Sequence, residues 1–320
     1  MAEFHLDFEK PIVELDDKIE TLRSQSLTRK QDFSGEISQL NEERQTLIKE
    51  IFSNLSRWQI VQLARHPRRP YTLDYISRMS PDFIELHGDR HFSDDKSLVA
   101  GIGTIDGIHV TYIGQQKGKN TKENLYRNFG MSKPEGYRKA LRIMKLSAKY
   151  KRPVICLVDT PGAYPGLGAE ERGQAEAIAR NLLEMTVLPV PILVIVIGEG
   201  ASGGALGIGI GDRLLMLENT WFSVISPEGC ASILWRDAGK AEEAAEALKV
   251  TAADLKELGI CDRIIEEPLG GAHRNRDEVV QSVKNVIVEE LQLLTNFTPE
   301  ELIKQRHEKY DSIGLWQEGT

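Results

Sequence analysis

A glycine-rich segment, Gly198-Glu199-Gly200-Ala201-Ser202-Gly203-Gly204, carries the residues best suited to chemistry in this sequence. It follows an apolar run of strand length, and a helix is predicted to start near Ser202 or Gly203. The first N–H groups of a helix have no intrahelical partner and lie at the positive end of its dipole. Because glycines leave those groups open to a ligand oxygen, the segment could hold a developing oxyanion or a phosphate.

The same segment also fits a dinucleotide-binding turn. Gly198, Gly200 and Gly203 have the required spacing, and Glu218 lies 20 residues after Gly198, at the predicted end of the next strand. Against this interpretation, the chain between turn and strand has room for a helix of only about two turns. Oxyanion nest, dinucleotide turn and simple tight packing all stay open from the pattern alone.

A second turn, residues 159–168, contains two prolines and three glycines and follows the apolar strand predicted over residues 154–158. Prolines stiffen such a turn, and glycines leave its backbone accessible. In parallel sheets, ligands gather at the carboxyl ends of the strands. The two glycine turns are therefore expected to flank one cleft.

Other segments give weaker signals. Ser226 to Ala231 is typical of a helix cap, and Cys230 is a poor candidate nucleophile because no histidine lies near it in sequence. Gly270 to Arg274 could contact an anion or simply precede a helix. The basic stretch from Lys117 to Lys122 is either a phosphate contact or a solvated loop, and its spacing does not fit a P-loop, so ATP hydrolysis is not supported.

No Ser/His/Asp set with motif context and no metal-ligand spacing is evident in the sequence. The best-marked candidate sites consist of backbone N–H groups. An enzyme can work this way if its reactants bring their own acid, base or nucleophile and the protein stabilises oxyanions.

The predicted elements indicate an α/β fold with substantially parallel strand pairing. Residues 11–54 have the periodicity of two amphipathic helices, which could bind a partner or cap the chain's own core. Asp106-Gly107 predicts a hairpin, and Ser132 with Glu135 predicts a capped helix over about 133–150. Units of strand, glycine turn and helix follow, including one helix expected over 169–185.

Composition narrows the class of protein. The 320 residues are 41% hydrophobic with a net charge of −8, which argues against a dedicated nucleic-acid binder. The three cysteines form no Cys-x-x-Cys pair, so neither a disulfide framework nor a zinc ribbon is expected. The N-terminal residues lack the features of a signal peptide, and no apolar run reaches membrane-spanning length, so a cytoplasmic location is expected.

Several strings together resemble the alpha subunits of bacterial acetyl-CoA carboxylase carboxyltransferases, over nearly the whole chain. They are residues 70–75 (PYTLDY), 114–118 (GQQKG), 158–166 (VDTPGAYPG), 169–174 (AEERGQ), 198–205 (GEGASGGA), 226–235 (SPEGCASILW) and 267–274 (EPLGGAHR). No departure from the family pattern occurs within these motifs.

The resemblance implies a crotonase-type fold of ββα superhelix units, with an N-terminal helical hairpin over 1–55, a carboxyltransferase domain over 56–295 and a C-terminal helix over 296–320. It implies transfer of a carboxyl group from carboxybiotin, on a biotin carrier protein, to acetyl-CoA, giving malonyl-CoA for fatty acid synthesis. The implied assembly is an α2β2 heterotetramer, working with the biotin carboxyl carrier protein and biotin carboxylase. No covalently bound cofactor is expected on this chain, and zinc is expected only in the beta subunit.

The resemblance also suggests roles for individual residues. Gly203 and Gly204 would form the backbone oxyanion hole for the biotin ureido oxygen, while the beta subunit supplies the hole for the thioester enolate. Residues expected to bind substrate or biotin are Gly162, Ala163, Tyr164, Gly200 and Ser202. Residues expected to contact CoA or another anion are Lys117, Lys119 and Arg172.

Two other classes of enzyme remain as alternatives. A stand-alone crotonase-type acyl-CoA hydratase or isomerase would need a side-chain acid or base beside the oxyanion hole. An NAD-binding oxidoreductase would use the glycine turn for the dinucleotide instead.

Overall fold

The hairpin at Asp106-Gly107 introduces the sheet. Strands β2 (Leu98–Ile105) and β3 (Ile108–Gln115) pair antiparallel with Ile105 opposite Ile108, which leaves a two-residue turn. Both turn residues have positive φ, 44° at Asp106 and 82° at Gly107, as a type I′ turn requires. The predicted hairpin is therefore confirmed in this computed structural model, which describes residues 4–29 and 32–314.

Downstream of the hairpin the sheet is parallel. The remaining strands are β1 (Ile84–Glu85), β4 (Val154–Thr160), β5 (Ile192–Ala201), β6 (Arg213–Leu217), β7 (Trp221–Ser223) and β8 (Arg263–Ile265). The sheet has the strand order β1-β2-β3-β4-β5-β6-β8, and the eighth strand, β7, pairs with the carboxyl end of β5. Every pairing from β3 onward is parallel, so the carboxyl ends of β3, β4 and β5 lie at one edge.

Fourteen α-helices occur within the described residues. They are α1 (Lys10–Arg29), α2 (Ser34–Phe52), α3 (Arg57–Ala64), α4 (Thr72–Met79), α5 (Thr121–Tyr126), α6 (Pro134–Lys149), α7 (Leu167–Glu171), α8 (Gln174–Thr186), α9 (Ser202–Leu206), α10 (Pro227–Trp235), α11 (Ala241–Leu248), α12 (Ala252–Glu257), α13 (Arg276–Leu294) and α14 (Pro299–Asp311).

Alternation along the buried strands explains the layering. In β4, Ile155 and Leu157 enter a core with side chains from α4, α13 and α14, whereas Cys156 and Val158 enter a second core with α6 and α8. Because successive side chains of a strand point to opposite faces, one continuous apolar run supplies both cores. The sheet therefore lies between two helical layers, and its carboxyl edge is left for the glycine turns.

Two local expectations were wrong. The helix expected over 169–185 is interrupted, because Gly173 takes a left-handed conformation (φ 79°) between α7 and α8. Ser132 does not cap α6, since Lys133 is the N-cap residue and makes no side-chain cap bond. Instead, the Ser132 carbonyl accepts hydrogen bonds from the Tyr164 N–H and the Gln174 amide.

The N-terminal helices pack on their own chain along part of their length. Ile12, Leu15 and Ile19 of α1 are buried, whereas Leu27 near its end is 85% exposed. The proposed domain boundaries at 55/56 and 295/296 stay predictions. Residues 1–3 and 315–320, which belong to the predicted terminal segments, lie outside the described residues.

Candidate active site

The first glycine turn joins β5 directly to α9. Ser202 is the first residue of α9 and has a left-handed backbone (φ 57°), a conformation that costs an L-residue about 1–2 kcal/mol. This residue turns the chain sharply, so the N–H groups of the first helical turn follow the strand at once. Those of Gly203 and Gly204 lie among the initial helical N–H groups that have no intrahelical acceptor.

The second glycine turn lies against the first. A Cβ placed on Gly204 would lie 2.3 Å from the Gly162 carbonyl carbon and 2.5 Å from the Ala163 nitrogen. Gly162 has a φ of 147° and is held by Thr160, whose hydroxyl accepts from the Gly162 N–H and donates to the Gly162 carbonyl. The two turns therefore meet backbone to backbone at Gly204, and only glycine allows this approach.

Gly203 has more space than Gly204. A Cβ on Gly203 would meet only the Ile178 side chain, at 3.5 and 3.8 Å, which is ordinary van der Waals contact. The two neighbouring glycines thus serve different needs. Gly204 is required for close packing of the turns, whereas Gly203 leaves the approach to the helix start open.

The Gly204 carbonyl is held by two buried side chains. It accepts hydrogen bonds from the Gln115 side-chain amide (3.0 Å) and the Tyr137 hydroxyl (3.2 Å). Both side chains are completely buried. These two bonds fix the Gly204–Ala205 peptide and thereby hold the first turn of α9, while the Gly204 N–H itself belongs to the preceding peptide. A rigid helix start of this kind is what an oxyanion hole would need.

Buried charged side chains form ion pairs with residues of both glycine turns. The Lys117 ammonium is 2.7 Å from both Asp159 Oδ1 and Glu199 Oε1, and the Arg65 guanidinium is 2.8 Å from Glu199 Oε2. Burial works against ionisation of Glu199, but Lys117 and Arg65 hold its pKa below the usual range. Arg65 also pairs with Glu228 at the start of α10.

The residues predicted to bind biotin or substrate lie in different surroundings. Gly162 and Ala163 contact Gly204 of the first glycine turn. The Lys133 ammonium lies 5.0 Å from the centroid of the Tyr164 ring. Gly200 is buried against Phe222, whose ring carbon would lie 2.5 Å from a Cβ at that position. The structure therefore brings Gly162 and Ala163 to Gly204, places the Tyr164 ring beside Lys133, and packs Gly200 against Phe222.

The three cations predicted to contact CoA or another anion each have an acidic partner. Lys117 is enclosed by Asp159 and Glu199, as described above. Lys119 is half exposed and lies 2.7 Å from Asp74. Arg172 pairs with Glu135, and its guanidinium carbon lies 4.5 Å from the centroid of the Phe92 ring. Of the three, Lys119 and Arg172 have more exposed side chains than Lys117.

The weaker candidate segments have structural roles. The Ser226 hydroxyl accepts from the Gly229 N–H, so Ser226 caps α10 as predicted. Cys230 is a buried free thiol. The carboxylate of Glu218 accepts from the Glu267 N–H. Gly271 has a φ of 93° in the loop that precedes α13.

A cluster of Glu9, His66 and His273 has ligand atoms close enough to hold a metal ion, but its hydrogen bonds argue for a different role. The Arg68 N–H donates to His66 Nδ1, so the neutral His66 ring carries its proton on Nε2 and has no free lone pair there. His273 Nε2 lies 2.9 Å from Glu9 Oε1, and burial lowers the pKa of His66 to about 3. The cluster therefore joins the N-terminal segment to the core through neutral histidines.

Sequence reasoning missed the charged layer beneath the turns. Asp159, Glu199 and Arg65 were not proposed as site residues, although Glu199 is a carboxylate inside an otherwise apolar, glycine-rich run. A charge in such a position indicates a buried partner. Arg65 carried no comparable signal, because α3 approaches the sheet edge only in the folded chain.

The exposed Ser202 side chain forms the centre of a G-x-S-x-G pattern, from Gly200 to Gly204, which suggests a nucleophile. None of the described histidines makes a hydrogen bond with Ser202, so no base is in place to activate it. If this site is catalytic, we expect Ser202→Ala to keep its turnover within about threefold of normal. Ser202→Gly, which removes the backbone strain, should raise the free energy of unfolding by about 1 kcal/mol. Loss of most turnover in Ser202→Ala would reveal a covalent role for the hydroxyl.

The fold and the turn geometry define the class of protein. One similar solved structure is a Pseudomonas malonate decarboxylase hetero-tetramer in complex with coenzyme A, with a TM-score of 0.59, 16% identity, and coverage of 75% of this chain and 94% of that one. Together, the parallel sheet and this structural likeness identify a crotonase-type fold. The dinucleotide-binding alternative does not agree with this fold, and the helix after the turn has only five residues.

Sequence comparison then gives the particular family. A family profile described as "Acetyl co-enzyme A carboxylase carboxyltransferase-like" matches residues 5–314. An alpha subunit of acetyl-coenzyme A carboxylase carboxyl transferase from Chlorobium phaeobacteroides is 55% identical over 327 aligned positions, 98% of each chain. One from Bacillus cereus is 57% identical over 314 positions, 98% of this chain and 96% of its own. The chain belongs to the acetyl-coenzyme A carboxylase carboxyltransferase alpha-subunit family.

None of the helices in the described part of the chain is both long and apolar enough to cross a membrane.

Proposed function

We propose that this chain is the alpha half of a carboxyltransferase that moves a carboxyl group from carboxybiotin to acetyl-CoA and forms malonyl-CoA. The observation that carries the proposal is the meeting of the two glycine turns at Gly204, which leaves an open helix start at Gly203. Relatives of the same length that carry the alpha-subunit name support the choice of reaction.

Gly203 and Gly204 act on the developing charge in this proposal. When carboxybiotin gives up its carboxyl group as CO2, negative charge develops on the ureido oxygen of biotin. The two N–H groups donate to that oxygen, and the biotin nitrogen takes a proton from the acetyl methyl group. The resulting enolate attacks CO2 to form malonyl-CoA, so no side chain of this chain needs to serve as the base.

The carboxylates of Asp159 and Glu199 are consistent with a reaction in which no side chain of this chain serves as the base. Asp159 and Glu199 are both paired with Lys117, and a carboxylate held in a buried ion pair is a poor general base. A hydratase or isomerase would need one of them free. The ion pairs therefore favour carboxyl transfer, in which the reactants supply the base.

The proposal includes partners that complete the site. A beta subunit would supply the oxyanion hole for the thioester enolate and carry the zinc ribbon, in an α2β2 assembly served by the biotin carboxyl carrier protein and biotin carboxylase. Gly162, Ala163 and Tyr164 would form the biotin side of the cleft. Lys119 and Arg172 would reach CoA phosphates only by exchanging the acidic partners they hold here.

Reconstitution tests the proposal. The chain alone, a beta subunit from the same organism alone, and the co-expressed pair are assayed for decarboxylation of malonyl-CoA in the presence of free biotin. We expect activity only in the pair. Biotin-dependent activity of this chain alone would contradict a shared site, and an assembled but inactive pair would contradict the reaction.

A further inference from the structure

Two buried side chains at the end of β3 connect the glycine turns. Gln115 and Lys117 are two residues apart, so in an extended chain they lie on the same side. Gln115 is completely buried, and the Lys117 side chain is 12% exposed. Neither residue belongs to a glycine turn, yet each contacts both turns.

Gln115 spans the turns with its two amide atoms. Its Oε1 accepts from the Asp159 N–H at 3.1 Å, and its Nε2 donates to the Gly204 carbonyl at 3.0 Å. Asp159 is the start of the second turn, and Gly204 is the end of the first. A displacement of either turn would break one of these bonds inside a buried region, where an unpaired polar group is destabilising.

Lys117 spans the same turns with charge. Its ammonium lies between Asp159 of the second turn and Glu199 of the first, at 2.7 Å from each. Asp159 Oδ1 also accepts from the Glu199 N–H at 3.2 Å. Without the Lys117 ammonium, the carboxylates of Asp159 and Glu199 would lie close together with no cation between them, next to the two glycine turns.

We propose that Gln115 and Lys117 are positioning residues: they fix the two turns relative to each other, and Lys117 offsets the negative charge of Asp159 and Glu199 next to the proposed oxyanion hole. The inference rests on the proposed carboxyl transfer. It concerns geometry and charge, since neither side chain needs to touch a substrate.

Other charged groups define what happens when Lys117 is removed. Glu199 would keep Arg65, which itself pairs with Glu228. Asp159 would keep no cation at bonding distance among the described residues. Other buried groups that interact electrostatically with Asp159 are Arg69, which pairs with Glu267, and the hydroxyls of Tyr71 and Tyr75.

The loss of Lys117 should therefore act mainly through Asp159. Burial already raises the pKa of Asp159 above its usual range, against the lowering effect of Lys117. Without the ammonium that pKa should rise further, because only the Glu199 N–H bond and the charge of Arg69 would then oppose burial and the Glu199 charge. At low pH the Asp159 carboxyl would be protonated and would add no negative charge near the proposed oxyanion hole. As the pH rises through its pKa, the site would gain a negative charge.

The test compares Lys117→Met with the double variant Lys117→Met/Asp159→Asn in the co-expressed complex. Asparagine keeps an oxygen that can accept from the Glu199 N–H but has no charge. We expect Lys117→Met to lower kcat for biotin-dependent malonyl-CoA decarboxylation by about 10²-fold, with KM within about threefold of normal. Its kcat should increase as the pH is lowered, and the double variant should recover at least about tenfold without that pH dependence.

Lys304→Met is the control, because this lysine of α14 belongs to no candidate site segment and its side chain is 74% exposed, so its activity should be normal. An active wild-type complex establishes the proposed function separately from this inference. The inference is overturned if folded Lys117→Met retains normal kcat. It is equally overturned if the folded double variant recovers no activity, because the activity lost in Lys117→Met would then not come from the uncompensated Asp159 charge.

Discussion

Replacing Gly204 with alanine should lower kcat of the assembled carboxyltransferase by about 10²- to 10³-fold, the typical effect of losing one oxyanion donor. The new Cβ would lie 2.3 Å from the Gly162 carbonyl carbon, and that contact is with backbone that has no flexible end to move aside. The turns must therefore separate, which displaces the Gly204 N–H. Steady-state decarboxylation of malonyl-CoA with biotin measures the effect.

Gly203→Ala is the matched control one residue away. It adds the same methyl group and keeps the N–H, but its Cβ would be 3.5 Å from Ile178, so turnover should stay within about tenfold of normal. Gel filtration with the beta subunit checks that both variants assemble. Equal turnover in the two variants would contradict the assignment of Gly204 as the close contact on which the donor geometry depends.

Arg306→Met should lower the free energy of unfolding by about 3–5 kcal/mol, because it leaves the partner of a buried ion pair uncompensated. The Arg306 guanidinium is buried and lies 2.9 Å from both Asp212 oxygens. It also donates to the carbonyls of Met185, Leu188 and Val190, which form the approach to β5. Arg306 thus attaches α14 to the start of β5, the strand that leads into the first glycine turn.

Urea titration followed by circular dichroism measures this change. Lys304→Met on the same helix is the control, since its side chain is 74% exposed and its loss should change stability by no more than about 0.5 kcal/mol. A decrease below about 1 kcal/mol for Arg306→Met would mean that Asp212 finds another partner or becomes protonated without cost.

The sequence was most informative where a pattern depends on local chemistry. Asp106-Gly107 identified its hairpin because few residue pairs adopt two successive positive φ angles. The continuous apolar runs that became β4 and β5 indicated strands buried on both faces. Ser226 was correctly expected to cap a helix, and its hydroxyl accepts from the Gly229 N–H.

Prediction failed where a tertiary contact outweighed a local signal. Ser132 and Glu135 have capping-box spacing, but the chain before α6 instead supplies its Ser132 carbonyl to the second glycine turn, and Glu135 pairs with Arg172. Periodicity over 169–185 could not reveal the break, because Gly173 is tolerated in a helical pattern and its left-handed φ is visible only in three dimensions.

The candidate site was predicted in part. The proximity of the two glycine turns follows from parallel strands and was anticipated. The buried pairs of Lys117 were not, because a basic loop of lysines in sequence resembles a solvated surface. Which lysine turns inward depends on carboxylates 42 and 82 residues further along the chain.

The most direct test of the central claim is a structure of the chain assembled with its beta subunit and bound to biotin. We predict that the ureido oxygen lies about 2.7–3.1 Å from the backbone nitrogens of Gly203 and Gly204, the range expected for oxyanion donors. Biotin bound in a productive orientation with its ureido oxygen on side chains, or on donors of the beta subunit alone, would contradict the account.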